Sequence, residues 1–213
     1  MSGLSLPEEI TLLTLDDETG RSVGRQGLAA ALALSGAVMM ELALAHRVDT
    51  DRDRLEVLDT TPAGDPVLDA GLAAIAGSED SRAALLRLSR EEGLRPMLLD
   101  RLVGAGLLRR VEGRVLLVFP ERRYLKPEDR PEPREVRARL LRAVEGDHIP
   151  EPREALLFGL ARAVALLPAL LPAPVLAARQ DRMDLLLRIE ALNRSLAEIV
   201  GDIYAARLRS GGA

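Results

Sequence analysis

From Gly27 to Ala45 the chain carries a single charged side chain, Glu41, among Leu, Ala, Val, Met and small residues. A run this apolar has no hydrophilic side to offer water. It needs cover on every face, from lipid or from other parts of the protein. Glu41 and the many small residues leave it short of the roughly 20 clean apolar residues that cross a bilayer. Ala155–Ala178 falls short in the same way, because Arg162, Pro168, Pro172 and Pro174 interrupt it. The reading is a long helix over Gly24–Ala45, buried at the centre of a helical domain.

The rest of the chain suits that centre. It has 213 residues, 47% of them hydrophobic, enough to bury a core without disulfide or metal staples. Leu and Ala dominate, which favours helices. Ser5-Leu6-Pro7-Glu8 is a capping box with Pro in the first turn, opening a helix through Leu15. Asp16 to Gly20 reads as a turn. A short hairpin is expected over Arg47–Thr50 and Leu55–Asp59. Helices follow over Val67–Ala76, Glu79–Arg90 and Leu94–Val103, the last ending at Gly104-Ala105-Gly106. Two β runs, Leu107–Val111 and Val115–Phe119, turn at Glu112-Gly113. Pro120–Pro133 is a polar loop, Arg134–Val144 a helix, and long helical segments complete the chain. The expected fold is mainly α: a single domain over residues 1–208, a loose tail over 209–213, and short β-hairpins, one projecting at about residues 107–119.

Several chemistries find no footing. There is no Cys, and only His46 and His148, so neither a metal nor a cofactor is expected. No Gly-Lys-Ser/Thr, dinucleotide fingerprint or Gly-x-Ser-x-Gly occurs. The carboxylate pairs Glu8/Glu9, Asp16/Asp17 and Glu91/Glu92 lie at helix ends. Adjacent helical residues diverge, so these read as caps or solvated charge. No enzyme is expected, and no secretory signal, since the first residues lack a basic region. Aromatics are 2% of the chain, too few for a base-stacking platform. Lys126 is the only lysine among 29 basic residues, which reads first as codon bias.

Net charge is −4, which disfavours a globally basic nucleic-acid binder. The charge is uneven, however. Residues 90–126 hold nine basic and five acidic side chains, a local net of +4. Such a region is a candidate anion-facing surface, although composition alone favours a solvated mixed-charge face. Within it, helix, turn, helix and hairpin outline a winged helix, but Leu94–Val103 offers only Arg95, Asp100 and Arg101 as polar contacts. That is too apolar for a DNA-reading helix. A membrane surface suits the pattern better. The run Val115–Phe119 sits beside Arg109, Arg110, Arg114, Arg122 and Arg123. Each apolar side chain inserted in lipid gains roughly 1.5–3 kcal/mol, and each basic residue at an anionic surface adds about 1 kcal/mol. Packing of this hairpin on its own domain, or on another subunit, stands as an equal alternative.

The chain resembles the Golgi phosphoprotein 3 family, including its bacterial members. The resemblance rests on Leu6-Pro7-Glu8-Glu9-Ile10-Thr11-Leu12-Leu13-Thr14-Leu15, on Ser35-Gly36-Ala37-Val38-Met39-Met40-Glu41-Leu42-Ala43-Leu44, on Asp65-Pro66-Val67-Leu68-Asp69, and on Leu102-Val103-Gly104-Ala105-Gly106-Leu107-Leu108. It implies a peripheral membrane protein that binds phosphatidylinositol 4-phosphate, or another anionic phospholipid headgroup, through a basic pocket and a membrane-inserting β-hairpin. It also implies oligomers formed through that hairpin and recognition of membrane-protein tails. The location implied is the cytoplasm, with reversible attachment to the inner face of a membrane. Insertion would fall to Leu116, Leu117, Val118 and Phe119, and headgroup binding to Arg95, with Arg90 and Arg25 nearby. The pocket departs from the family pattern: its Trp falls near Gln26, and two of its basic positions fall on Ser35 and Glu92. One retained arginine among acids predicts weak or altered headgroup choice.

Overall fold

A computed structural model of the chain describes residues 3–23, 27–51, 54–115, 119–189 and 191–210. The elements in order are α1 (Leu6–Leu13), α2 (Leu28–Leu44), β1 (Val48–Asp51), β2 (Arg54–Val57), α3 (Pro66–Ile75), α4 (Ser81–Leu88) and α5 (Leu94–Gly104). Then come β3 (Arg109–Val115), β4 (Phe119–Leu125), α6 (Glu132–Glu145), α7 (Pro152–Ala163), α8 (Leu167–Leu170), α9 (Ala173–Ala178), α10 (Gln180–Ile189) and α11 (Ala191–Ser210). The fold is mainly α with two antiparallel hairpins, β1–β2 and β3–β4.

The central apolar run is α2. Twelve of its residues, Ala29 through Leu42 with few gaps, are buried. It is surrounded by α1, α3, α4, α7 and α11. With cover on so many sides it needs no polar face, which is why it lacks amphipathic patterning. The expected helix start at Gly24 lies outside the described residues.

α1 begins at the expected capping box. Glu8 N–H donates to Ser5 Oγ, and Ser5 N–H donates to Glu8 Oε2 at 2.7 Å. The reading of the acidic pairs as caps or solvated charge needs correction at two positions. Glu9 is fully buried. It is ion-paired with Arg139, and Arg153 Nε lies 3.5 Å from its Oε2. Asp17 is paired with the buried Lys126, and with Arg137 at 3.0 Å. Glu9 is buried and Asp17 half-buried, and in both cases distant cations offset the lost hydration; α6, α7 and Lys126, just after β4, supply them, and nothing local announces them.

The second hairpin differs from its expected form. β3 and β4 pair so that Gly113 faces Glu121, and Val115 faces Phe119. Glu112-Gly113 is therefore inside a strand, and Arg122 and Arg123 belong to β4 rather than to a polar loop. This register extends pairing to Arg109 opposite Leu125 and sets Glu112 across from Arg122. Opposite charges on facing residues stabilise a hairpin, whereas a turn at 112–113 would leave Arg122–Leu125 unpaired. Residues 116–118, which join the strands, lie outside the described residues.

Candidate anion-binding cleft

α4 ends at Leu88 with Ser89 as its C-cap, and a short turn leads through Gly93 into α5. Leu94, Leu98 and Leu102 of α5 are buried, which fixes the helix rotation. Arg95, one position on from Leu94, then lies at the edge of the core. Its Nη1 donates to Thr14 Oγ1 at 2.9 Å, and its Nη2 donates to Ser22 Oγ at 3.1 Å. Thr14 spends its own hydroxyl proton on Thr11 O at 2.7 Å, so its oxygen faces Arg95 as an acceptor.

These partners are neutral. Among the described residues no carboxylate forms an ion pair with Arg95. Burial pulls its pKa below the ordinary guanidinium value, and the nearby Tyr124 acts weakly the other way. Arg95 is half-buried, so its guanidinium is less well hydrated than a free one, and an incoming anion would offset that loss.

Arg95 lines a cleft of about 380 Å³. Its floor is apolar, from Ala30, Ala31 and Leu34 of α2 and Leu88 of α4. Its polar lining is Ser22, Ser89, Glu91 and Glu92 with Arg95. Both glutamates are exposed. α5 opens here without a side-chain cap, so its positive N-terminal end is also unblocked.

The other expected site residues are placed as follows. Arg90 is exposed in the α4–α5 turn and is not part of the cleft lining. Arg25, and Gln26 beside it, lie outside the described residues. Ser35 is buried, donates to Ala31 O at 2.8 Å within its own helix and is not part of the cleft lining. Glu92 does line the cleft. Leu116, Leu117 and Val118 lie outside the described residues, and Phe119 opens β4.

Sequence reading missed Thr14 and Ser22. They flank the turn whose ends, Leu15 and Ser22, form a β-bridge. The same turn holds the base of the hairpin. Tyr124 N–H donates to Gly20 O at 2.9 Å, and Arg21 grips Glu121 through two bonds of 2.8 and 3.2 Å. Cleft and hairpin therefore share one support. The arginines of the hairpin are mostly paired with acids: Arg110 with Asp100, Arg122 with Glu112 at 3.9 Å, and Arg123 with Glu121 at 3.8 Å. Exposed pairs of this kind contribute about 1 kcal/mol or less, so a phosphate can compete for the guanidinium. Arg109 is exposed and has no such partner among the described residues.

No helix among the described residues is long and apolar enough to cross a membrane. Compared with known families, residues 6–205 match the family model described as Golgi phosphoprotein 3 (GPP34). No curated protein matches the chain.

Proposed function

The chain belongs to the Golgi phosphoprotein 3 (GPP34) family, and from that premise we propose that it is a non-catalytic protein that docks reversibly on phospholipid membrane from the cytoplasmic side. Arg95 takes the phosphate of a headgroup, phosphatidylinositol 4-phosphate or another phosphorylated lipid. The apolar residues Leu116, Leu117, Val118 and Phe119 enter the bilayer. Arg90 and Arg25 add positive charge near the surface.

One observation carries this reading. Arg95 sits at a cleft, held in place by two hydroxyl groups and paired with no acid among the described residues. Arg101 of the same helix, by contrast, holds Asp65 through two bonds of 2.8 Å. A fork held by neutral groups keeps its full charge for a ligand.

Vesicle flotation tests it. The protein should float with phosphatidylcholine vesicles doped with phosphatidylglycerol or phosphatidylinositol 4-phosphate. Arg95→Ala should weaken binding at least tenfold, the loss of a charge-assisted bond of about 1.5–3 kcal/mol. Leu117→Asp should abolish flotation.

A second reading uses the hairpin as a subunit contact. The outer edge of β3 has no strand partner among the described residues, and such an edge can pair with another chain. Flotation that ignores anionic lipid, together with oligomers broken by Leu117→Asp, would favour this reading over docking. The winged-helix DNA reading has less support, because α5 buries Leu94, Leu98, Leu99 and Leu102.

A further inference from the structure

The charges of the cleft are mixed. Glu91 and Glu92 line it together with Arg95, and neither is drawn into an ion pair with that arginine. Two exposed carboxylates beside one guanidinium weaken the hold on a ligand that is anionic throughout without abolishing it. They suit a ligand with a phosphate at one end and a cation at the other.

We propose that the cleft selects a zwitterionic aminophosphate headgroup, that of phosphatidylethanolamine, with the phosphate at Arg95 and the ammonium at Glu91 and Glu92. This rests on the docking reading above and names the lipid class for it. The lining chooses between amines. A quaternary ammonium has no N–H to donate and is recognised by aromatic faces. The cleft offers no aromatic side chain among its described lining residues. A primary ammonium carries three donors, and two carboxylates with the Ser89 hydroxyl can accept them. Ethanolamine is therefore favoured over choline. A serine headgroup fits less well, since its own carboxylate would meet Glu91 and Glu92. Glycerol headgroups lack the cation.

Size is compatible. The cleft is about 380 Å³, within the range of small-ligand sites, and its floor of Ala30, Ala31, Leu34 and Leu88 suits the non-polar ethylene link.

The test holds surface charge constant. Vesicles of fixed phosphatidylglycerol content are prepared with phosphatidylcholine exchanged stepwise for phosphatidylethanolamine. Affinity should tighten by about 1.5- to fivefold, the range set by exposed charge pairs. The double variant Glu91→Gln/Glu92→Gln should lose that gain while still binding vesicles in proportion to phosphatidylglycerol. A gain from altered lipid packing would survive in the double variant, so its persistence overturns the proposal. Equal affinity for the two zwitterionic lipids also overturns it, while leaving docking intact. If the protein binds no vesicle at all, the docking reading falls, and the headgroup itself decides the rest. Free O-phosphoethanolamine should then shift the amide resonances of Ser89 and Arg95 more than inorganic phosphate or phosphocholine does. Equal shifts, or none, would sink the proposed selectivity.

Discussion

Replacing Gly20 by Ala tests the link between the hairpin and the cleft. Gly20 has a φ of +65°, the left-handed region. A Cβ built there meets the Tyr124 carbonyl carbon and oxygen at 2.7 Å and the Leu125 nitrogen at 2.9 Å. These are backbone atoms and cannot swing aside. Gly106 is an internal control, since it has a φ of +71° and nothing within 4 Å of its Cβ position. Gly106→Ala should therefore cost only the left-handed penalty, about 1 kcal/mol. Gly20→Ala adds to that the loss of the Tyr124 N–H to Gly20 O bond and displacement of the turn, for a total of about 3 kcal/mol. Chemical denaturation of both variants measures the difference, expected at about 2 kcal/mol. Hydrogen exchange at the Tyr124 amide should accelerate in Gly20→Ala and not in Gly106→Ala. Because the same turn presents Ser22 to Arg95, lipid binding should weaken as well. Equal stability losses in the two variants, with Tyr124 still protected, would refute the claim that this turn clamps the hairpin.

Further outcomes follow from the buried charges. Glu9→Gln should destabilise the protein by about 1.5–3 kcal/mol in urea denaturation, because the charge-assisted contacts to Arg139 and Arg153 weaken while Arg153 still holds Glu41. The Arg101 guanidinium and the Val67 and Leu68 N–H groups hold Asp65 below its ordinary 3.8, so its stabilising effect is complete above that pH and fades as pH falls through the lower folded value. In an acid titration of stability, Asp65→Asn should flatten this loss by about 0.5 kcal/mol after solvent screening. Burial lowers the pKa of Lys126 beneath its ordinary 10.5, so stability should rise as pH climbs from the folded value toward 10.5. Thermal melts of Lys126→Met across that alkaline range should show a smaller rise.

Legibility in the sequence followed the distance over which each feature is decided. The α1 capping box spans Ser5 to Glu8, and its residues alone specify it. The burial of α2 was also legible, because a run without polar residues admits few environments. The β3–β4 register was not. Glu112-Gly113 is a fair local turn signal, yet longer pairing and the Glu112–Arg122 contact outweigh it. Glu9 looked like an ordinary first-turn acid, and its cations arrive from α6 and α7. Arg95 was identified through the resemblance, but its partners were not: Thr14 and Ser22 stand 81 and 73 positions away.

By itself, then, the sequence determined a helical protein wrapped around one apolar helix, the family to which it belongs, and an arginine worth following. Periodicity, caps and the absence of reactive residues are local facts, and local physics suffices to read them. The tertiary structure alone decided which charges are spent on each other and which remain available to a ligand. Pairing depends on where distant segments come to rest, which puts Arg101 beside a carboxylate and Arg95 beside two hydroxyls.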